Sequence, residues 1–122
     1  MTKGEKQMII LNKYGTAHPM TFKLANYVEN GNLYVGLLAH DDGYPMPWQN
    51  LTVNLSVPCK PNRAFIDTNN NGNEILDWLE QNELGFCTGN IMPSGWCVYP
   101  EFEFNMEKLM EHVTEDVRKG DK

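Results

Sequence analysis

The 122-residue sequence lacks the features that would place it in a membrane or in an oxidising compartment. No stretch approaches the roughly 20 apolar residues of a membrane-spanning helix, and the longest candidates, Met8 to Leu11 and Leu33 to Ala39, are short and strand-like. The N-terminal residues run into only Met8 to Leu11 before Asn12. That is short of the roughly 7 apolar residues of a signal-peptide core, so a cytoplasmic chain with no membrane contact is expected. Cysteine is scarce: Cys59, Cys87 and Cys97 are odd in number and form no Cys-x-x-Cys pair, which excludes a disulfide framework and leaves three reduced thiols. In such a compartment the acceptor patterns Asn50-Leu51-Thr52 and Asn54-Leu55-Ser56 never meet the glycosylation machinery. Positive charge is in short supply, with 10 Lys and Arg against 16 Asp and Glu and a formal net charge of -6. Direct nucleic-acid binding, which needs clustered cations, is therefore not expected. His18, His40 and His112 are scattered, without a helical i, i+4 pair or a cysteine spacing that assembles zinc, so neither a metal nor a cofactor is expected.

What is present suits a globular fold, with 41% hydrophobic and 21% charged residues. The sequence shows no internal repeat and no linker-like tract, so a single domain over residues 1–122 is expected, frayed at 1–5 and 118–122.

Period-two alternation dominates the first half. Met20, Phe22 and Leu24 alternate with Thr21, Lys23 and Ala25, and Leu33, Val35, Leu37 and Ala39 follow in the same rhythm. Asn30-Gly31 between them predicts a type I′ turn and an antiparallel hairpin. Tyr34 and Leu38 make the second run apolar on both faces, as in a central strand. A preceding strand over Lys6 to Leu11, another carrying Leu51, Val53 and Leu55, and a short one from Arg63 to Asp67 complete this half.

Helix signals come later. Asn71-Gly72-Asn73-Glu74 offers a cap with Glu three positions on, and Ile75, Leu76, Trp78 and Leu79 follow at helical spacing before Leu84-Gly85. Cys97 to Phe104 reads as an edge or bulged strand because of Pro100. Asn105 then caps a second helix whose apolar stripe is Met106, Leu109, Met110, Val113 and Val117. The order of elements predicts an α+β fold, mainly an antiparallel sheet of about five or six strands with two helices packed on it. Phe22, Val35, Leu37, Val53, Phe65, Ile75, Leu79, Leu109 and Met110 are the expected core.

Three constellations carry potential chemistry. Asp67-Thr68-Asn69-Asn70-Asn71-Gly72 matches the opening of a calcium loop, but the ninth and twelfth positions are Ile75 and Trp78, so an Asx turn capping a helix is expected instead of an ion site. A thiol nucleophile near His40, using Cys97 or Cys87, has no surrounding signature, and no catalytic residue is assigned. Partner-binding candidates fall in two groups. Tyr44, Trp48 and Trp96 sit in loops stiffened by proline, where large aromatics make binding anchors. Glu107, Glu111 and Glu115 recur every four residues and would form a like-charged ridge on the second helix, extended by Glu101, Glu103 and Asp116.

Ala64-Phe65-Ile66-Asp67-Thr68-Asn69-Asn70-Asn71, Leu84-Gly85-x-x-Thr88-Gly89, and Ser94-Gly95-x-Cys97-x-Tyr99-Pro100-Glu101-Phe102-Glu103-Phe104 together resemble domain-of-unknown-function family 4313, and Leu51-Thr52-Val53-Asn54-Leu55 fits as well. The resemblance implies a bacterial accessory protein, of the kind carried by phages or mobile elements, and brings no activity or catalytic residue with it. A non-enzymatic protein that binds another protein is the expectation. The alternative is a small-molecule-binding or hydrolytic enzyme with a pocket near His40 and Cys97.

Overall fold

The computed structural model describes residues 7–118, so Lys6 and the ends expected to fray, apart from Arg118, lie outside the described residues. Strands β1 (Ile9–Lys13), β2 (Thr16–Asn26), β3 (Leu33–Ala39) and β4 (Met46–Asn50) follow one another antiparallel in that order. The alternation read in the sequence is realised in the β2–β3 hairpin, where Phe22 lies opposite Leu37 and Leu24 opposite Val35, and β3 is interior as its two apolar faces predict.

The primed two-residue turn falls elsewhere than expected. Tyr14 (φ 53) and Gly15 (φ 78) make it between β1 and β2. Between β2 and β3 only Gly31 is left-handed, and a longer loop closes when the Tyr27 N–H donates to Asn32 O and the Gly31 N–H to Tyr27 O. Residues 46–50, which the prolines make loop-like in the sequence, are strand β4. Its place at the end of the β1-β2-β3-β4 path tolerates the missing N–H of Pro47.

The chain then leaves this sheet for a second one, instead of extending a single sheet. Leu51 makes the crossing: its N–H donates to Val35 O, and its carbonyl accepts from Asp67 N. Strands β5 (Thr52–Val53), β6 (Arg63–Ile66), β7 (Gly85–Ser94) and β8 (Cys97–Phe104) form a four-stranded antiparallel sheet in the order β5-β6-β8-β7. Thr52, not Val53, is the buried residue of β5. The Thr52 hydroxyl accepts from the Val35 N–H at 3.1 Å and bonds the Tyr27 hydroxyl at 3.0 Å, so a polar side chain occupies the inward phase at no hydrogen-bond cost.

Among the described residues the helices are three and short: α1 (Thr68–Asn71), α2 (Glu74–Gln81) and α3 (Met106–Met110). The asparagine turn is itself helical, and its cap is Asp67, whose carboxylate accepts from Asn70 N at 3.1 Å. Asn71 does not cap α2 as the sequence suggests. It is buried, and its Nδ2 donates to Asn50 O and Asp67 O, both at 2.9 Å. Asn105 caps α3 as expected, accepting from Lys108 N, but the helix stops at Met110. Residues 113–116 are instead strand β9 (Val113–Asp116), parallel to β2.

The physical reason is an edge that needs a partner. β1 pairs with β2 only from Thr16 to Met20, leaving Phe22 to Leu24 open on that side. There Phe22 N–H donates to His112 O, and Val117 N–H to Leu24 O. His112, buried at the junction, is hydrogen-bonded through Nδ1 to the Gln7 carbonyl at 2.8 Å.

One hydrophobic cluster draws on both sheets, α2 and α3, with Phe22, Leu37, Leu51, Leu79, Phe102 and Leu109 almost completely buried. Val53 and Met110, expected in the core, are only half-buried, because β5 presents Thr52 inward and α3 is too short to turn Met110 inward. β8 is not an edge strand. It lies between β6 and β7, and Pro100 is tolerated because β6 pairs only with Glu101, Phe102 and Glu103.

Candidate functional site

The β7–β8 hairpin is longer than the sheet that carries it. Beyond Glu101, residues 97–100 pair with β7 alone, so residues 91–100 form a two-stranded arm. Ser94 faces Cys97 across the turn Gly95-Trp96, with Gly95 left-handed (φ 62), and Trp96 is fully exposed at the tip. Thus the segment around Asn90 to Trp96, a loop by its prolines, is strand and hairpin turn.

The faces of the arm follow from period-two geometry. Phe104 and Phe102 point into the core, and on the same side of β8 come Pro100 and Val98, opposite Ile91 and Pro93 of β7. The core-facing row therefore continues past the core as an apolar stripe. Ile91 is 64% exposed and Val98 52%. No residue from Leu84 to Pro100 carries a charge, although the chain as a whole has a formal charge of -6. That uncharged run is visible in the sequence and is the signal that points to the arm; sequence reasoning picked out Trp96 in its Asn90 to Trp96 loop and the thiols of Cys87 and Cys97, and missed the row of Val98 and Pro100 opposite Ile91 and Pro93.

A buried carboxylate anchors the arm at its base. Glu101 is only 7% exposed, and its Oε1 accepts from Thr88 Oγ1 at 2.8 Å and from Asn90 Nδ2 at 2.9 Å. Arg63 stands 3.7 Å from the same oxygen and donates from Nε to Glu103 Oε1 at 2.9 Å. These bonds hold the stretch of β7 in which the register with β8 shifts, between Cys87 and Ile91. Glu101→Ala leaves the half-buried Thr88 hydroxyl and the Asn90 side-chain amide without their acceptor and removes one of the two carboxylates beside Arg63, which keeps its bond to Glu103. Loss of a charge-assisted acceptor of this kind costs about 1.5 to 3 kcal/mol. Chemical denaturation of the variant is the check, and a stability equal to wild type would show that water replaces the carboxylate.

The other singled-out residues are dispersed. Trp48 is half-buried against the core and its ring meets that of His18 at a tilt, centroids 4.6 Å apart, and the His18 Nδ1 is hydrogen-bonded to the Asp41 carboxylate at 3.0 Å, so this tryptophan is a structural contact. Tyr44 is exposed in the loop between β3 and β4. The expected acidic ridge is not one helix face: Glu107 lies on α3, Glu111 follows its end beside Lys108 at 3.7 Å, and Glu115 lies on β9 beside Lys23 at 3.6 Å. Truncation of the helix at Met110 breaks the four-residue period on which the ridge depends. Of its proposed extensions, Glu101 is buried at the base of the arm and Glu103 pairs with Arg63.

His40 and Cys97 belong to different sheets. His40 follows β3, where its Nε2 is hydrogen-bonded at 2.7 Å to the hydroxyl of Thr21, itself bonded to the Thr114 hydroxyl, while Cys97 sits at the turn of the arm. Burial raises the Cys59 and Cys87 thiols above their ordinary value, with Glu101 adding for Cys59 and Glu80 for Cys87, so neither is a ready thiolate near neutral pH. Among the described residues no three of His, Cys, Asp and Glu come together in a group able to hold a metal ion. A cleft of about 210 Å³ between the β1–β2 turn, β4 and α1 is lined by Lys13, Tyr14, Trp48 and Gln49. Its one cation, the half-buried Lys13, is already engaged, Nζ donating to Asn71 O at 2.9 Å. No described helix is long and apolar enough to cross a membrane.

Fold and site together define a mostly antiparallel, α+β-like protein with two sheets and a projecting uncharged hairpin. The family model named Domain of unknown function (DUF4313) matches residues 21–120, and the chain belongs to this family. No curated protein and no solved structure matched the chain.

Proposed function

We propose that this chain is a cytoplasmic, non-enzymatic accessory protein that acts by binding another protein through the β7–β8 arm. One observation carries the reading: a row of apolar side chains, continuous with the core face of β8, is left in solvent on a segment without charge. Exposed apolar surface of this kind stabilises nothing within the chain and is characteristic of interaction sites. Trp96 supplies the anchor, since tryptophan buries a large rigid area at low entropic cost and dominates many interfaces. The acidic body adds colloidal stability and no recognition element.

The test is capture of partners by tagged wild type and by Trp96→Ala, followed by binding kinetics on any partner found. Affinity should fall by at least about 2 kcal/mol, chiefly through faster dissociation, while the fully exposed site leaves the melting temperature unchanged. Equal capture by wild type, Trp96→Ala and Ile91→Ser, all folded, would remove the arm from the function.

A further inference from the structure

We propose that the cleft between the β1–β2 turn, β4 and α1 binds one uncharged monosaccharide. The site is independent of the arm, which belongs to the other sheet.

Strand phase and a bulge bring its side chains together. On β1, Leu11 is buried opposite His18, and Lys13 comes next on the same side. On β4, Pro47 pairs with Leu38 and Gln49 with Leu37, so Trp48 is an extra residue. A bulge of this kind re-aims side chains: Trp48 packs against the core, and Gln49 shares the face of the buried Leu37. Asn70 of α1 and Glu74 of α2 line the other side, around a volume of about 210 Å³.

Hydrogen bonds tie these walls to one another. Lys13 Nζ donates to Asn71 O and Asn71 Nδ2 to Asn50 O, both at 2.9 Å, while the Asp41 carboxylate holds His18 against the Trp48 ring. The cleft is therefore formed before any ligand arrives, as small-molecule sites usually are. Tyr14 stands at its rim, on the first position of the primed turn at φ 53, where asparagine or glycine sits without strain and a bulky residue is rare. Lys13 Nζ lies 5.6 Å from the centroid of its ring, and at 90% exposure no burial within the chain offsets the strain.

Size and chemistry select the ligand. The volume is below the roughly 300 to 1,000 Å³ of sites for drug-sized molecules, which leaves room for a single ring. Lys13 stands 3.8 Å from Glu74, so the charges balance and favour neither an anion nor a cation. What is free is amide. The Gln49 side chain and Asn70 Oδ1 have no partner among the described residues, Asn70 Nδ2 being given to Asp67 Oδ2 at 2.8 Å. A sugar ring matches this set, because its hydroxyls donate and accept around the whole perimeter and its C–H faces pack on aromatic rings such as Trp48 and Tyr14. A flat base stacks between apolar or aromatic faces, whereas the polar residues of this cleft come from β1, β4, α1 and α2 alike.

The test is titration of the full chain with glucose, galactose, mannose and N-acetylglucosamine, each up to about 50 mM, read by the amide and indole NMR signals. At least one of them should move the Trp48 indole signal saturably, with a Kd of about 0.1 to 10 mM in keeping with so small a ligand, and leave the Trp96 indole in place. Tyr14→Asn and Gln49→Ala should each weaken that binding at least about fivefold. Tyr14→Asn relieves the turn, so its melting temperature should equal or exceed that of wild type, and Gln49→Ala, at an exposed edge position, should melt near wild type. Loss of binding is thereby separated from loss of the fold. Trp96→Ala should bind the sugar as wild type does, so this site and the arm can fail separately. The assignment is overturned by the absence of a saturable shift with any of these sugars, by tighter binding of adenosine or glucose 6-phosphate at the same signal, or by undiminished binding in Tyr14→Asn or in Gln49→Ala.

Discussion

Gly85→Ala is expected to be among the most destabilising single substitutions in this protein. Gly85 has φ +148, a region that residues with a Cβ rarely enter, and it lies directly opposite Phe104 where β7 begins. An added Cβ would fall on the carbonyl oxygen of Glu103 and come within 2.7 Å of Phe102 Cε2. Both neighbours belong to β8, held between β6 and β7, so neither has room to move away. The disfavoured backbone contributes roughly 1 to 3 kcal/mol and overpacking a similar amount, together about 2 to 6 kcal/mol against a total stability of about 5 to 15. Gly89→Ala is the control: its φ of +98 is also disfavoured, but nothing lies within 4 Å of the added carbon, so it should cost about half as much or less. Urea melts of the two variants measure the difference. Equal costs would mean that the close approach of β7 to Glu103 is not tight in solution.

The second large effect is expected at Phe102. Its side chain is completely buried and meets Phe104 edge-on, with ring centroids 5.0 Å apart. Phe102→Ala should cost about 3 to 5 kcal/mol through lost burial and the cavity it leaves. Val98→Ala, on the same face of the same strand, should be within about 0.5 kcal/mol of wild type because that side chain is already in water. The contrast separates residues that hold the fold from a residue of equal hydrophobic phase that does not. If Val98→Ala proved as costly as Phe102→Ala, the stripe would be part of the core and the interaction surface would disappear.

The arm was partly readable before the fold was known. Trp96 stood out by type and by its proline-bounded surroundings, and the charge-free run from Leu84 to Pro100 is plain in the sequence. The stripe was not readable, because Pro93 makes Asn90 to Trp96 read as a loop, and only its pairing with Cys97 to Pro100, which the sequence does read as extended, sets Ile91 and Pro93 beside Pro100 and Val98. Glu101 gave the opposite impression. In the sequence it belongs to an acidic series, and only the fold brings Thr88, Asn90 and Arg63 around it, the last from a strand far away along the chain.

Local chemistry by itself determined the β2–β3 hairpin and its phase, the strand over Ala64 to Ile66, the amphipathic α2 and the Asn105 cap. In these the side-chain period, and at α3 the capping oxygen of Asn105, act over a few neighbours and agree, whereas the Asn30-Gly31 turn and the Asn71 cap do not form as the sequence suggests. Tertiary structure alone decided the fate of residues 106–117. Met106, Leu109, Met110, Val113 and Val117 fit a helical stripe, yet Val113 and Thr114 are β-branched, and the free edge of β2 from Phe22 to Leu24 takes Val113 to Asp116 as a parallel strand. A five-residue helix and a four-residue strand each have too little local preference to settle the matter. The unpaired backbone of a neighbour distant in sequence settles it, because buried N–H and C=O groups must find partners. Partition into two sheets has the same origin, in the backbone bonds by which Leu51 joins β3 to the segment that follows β6.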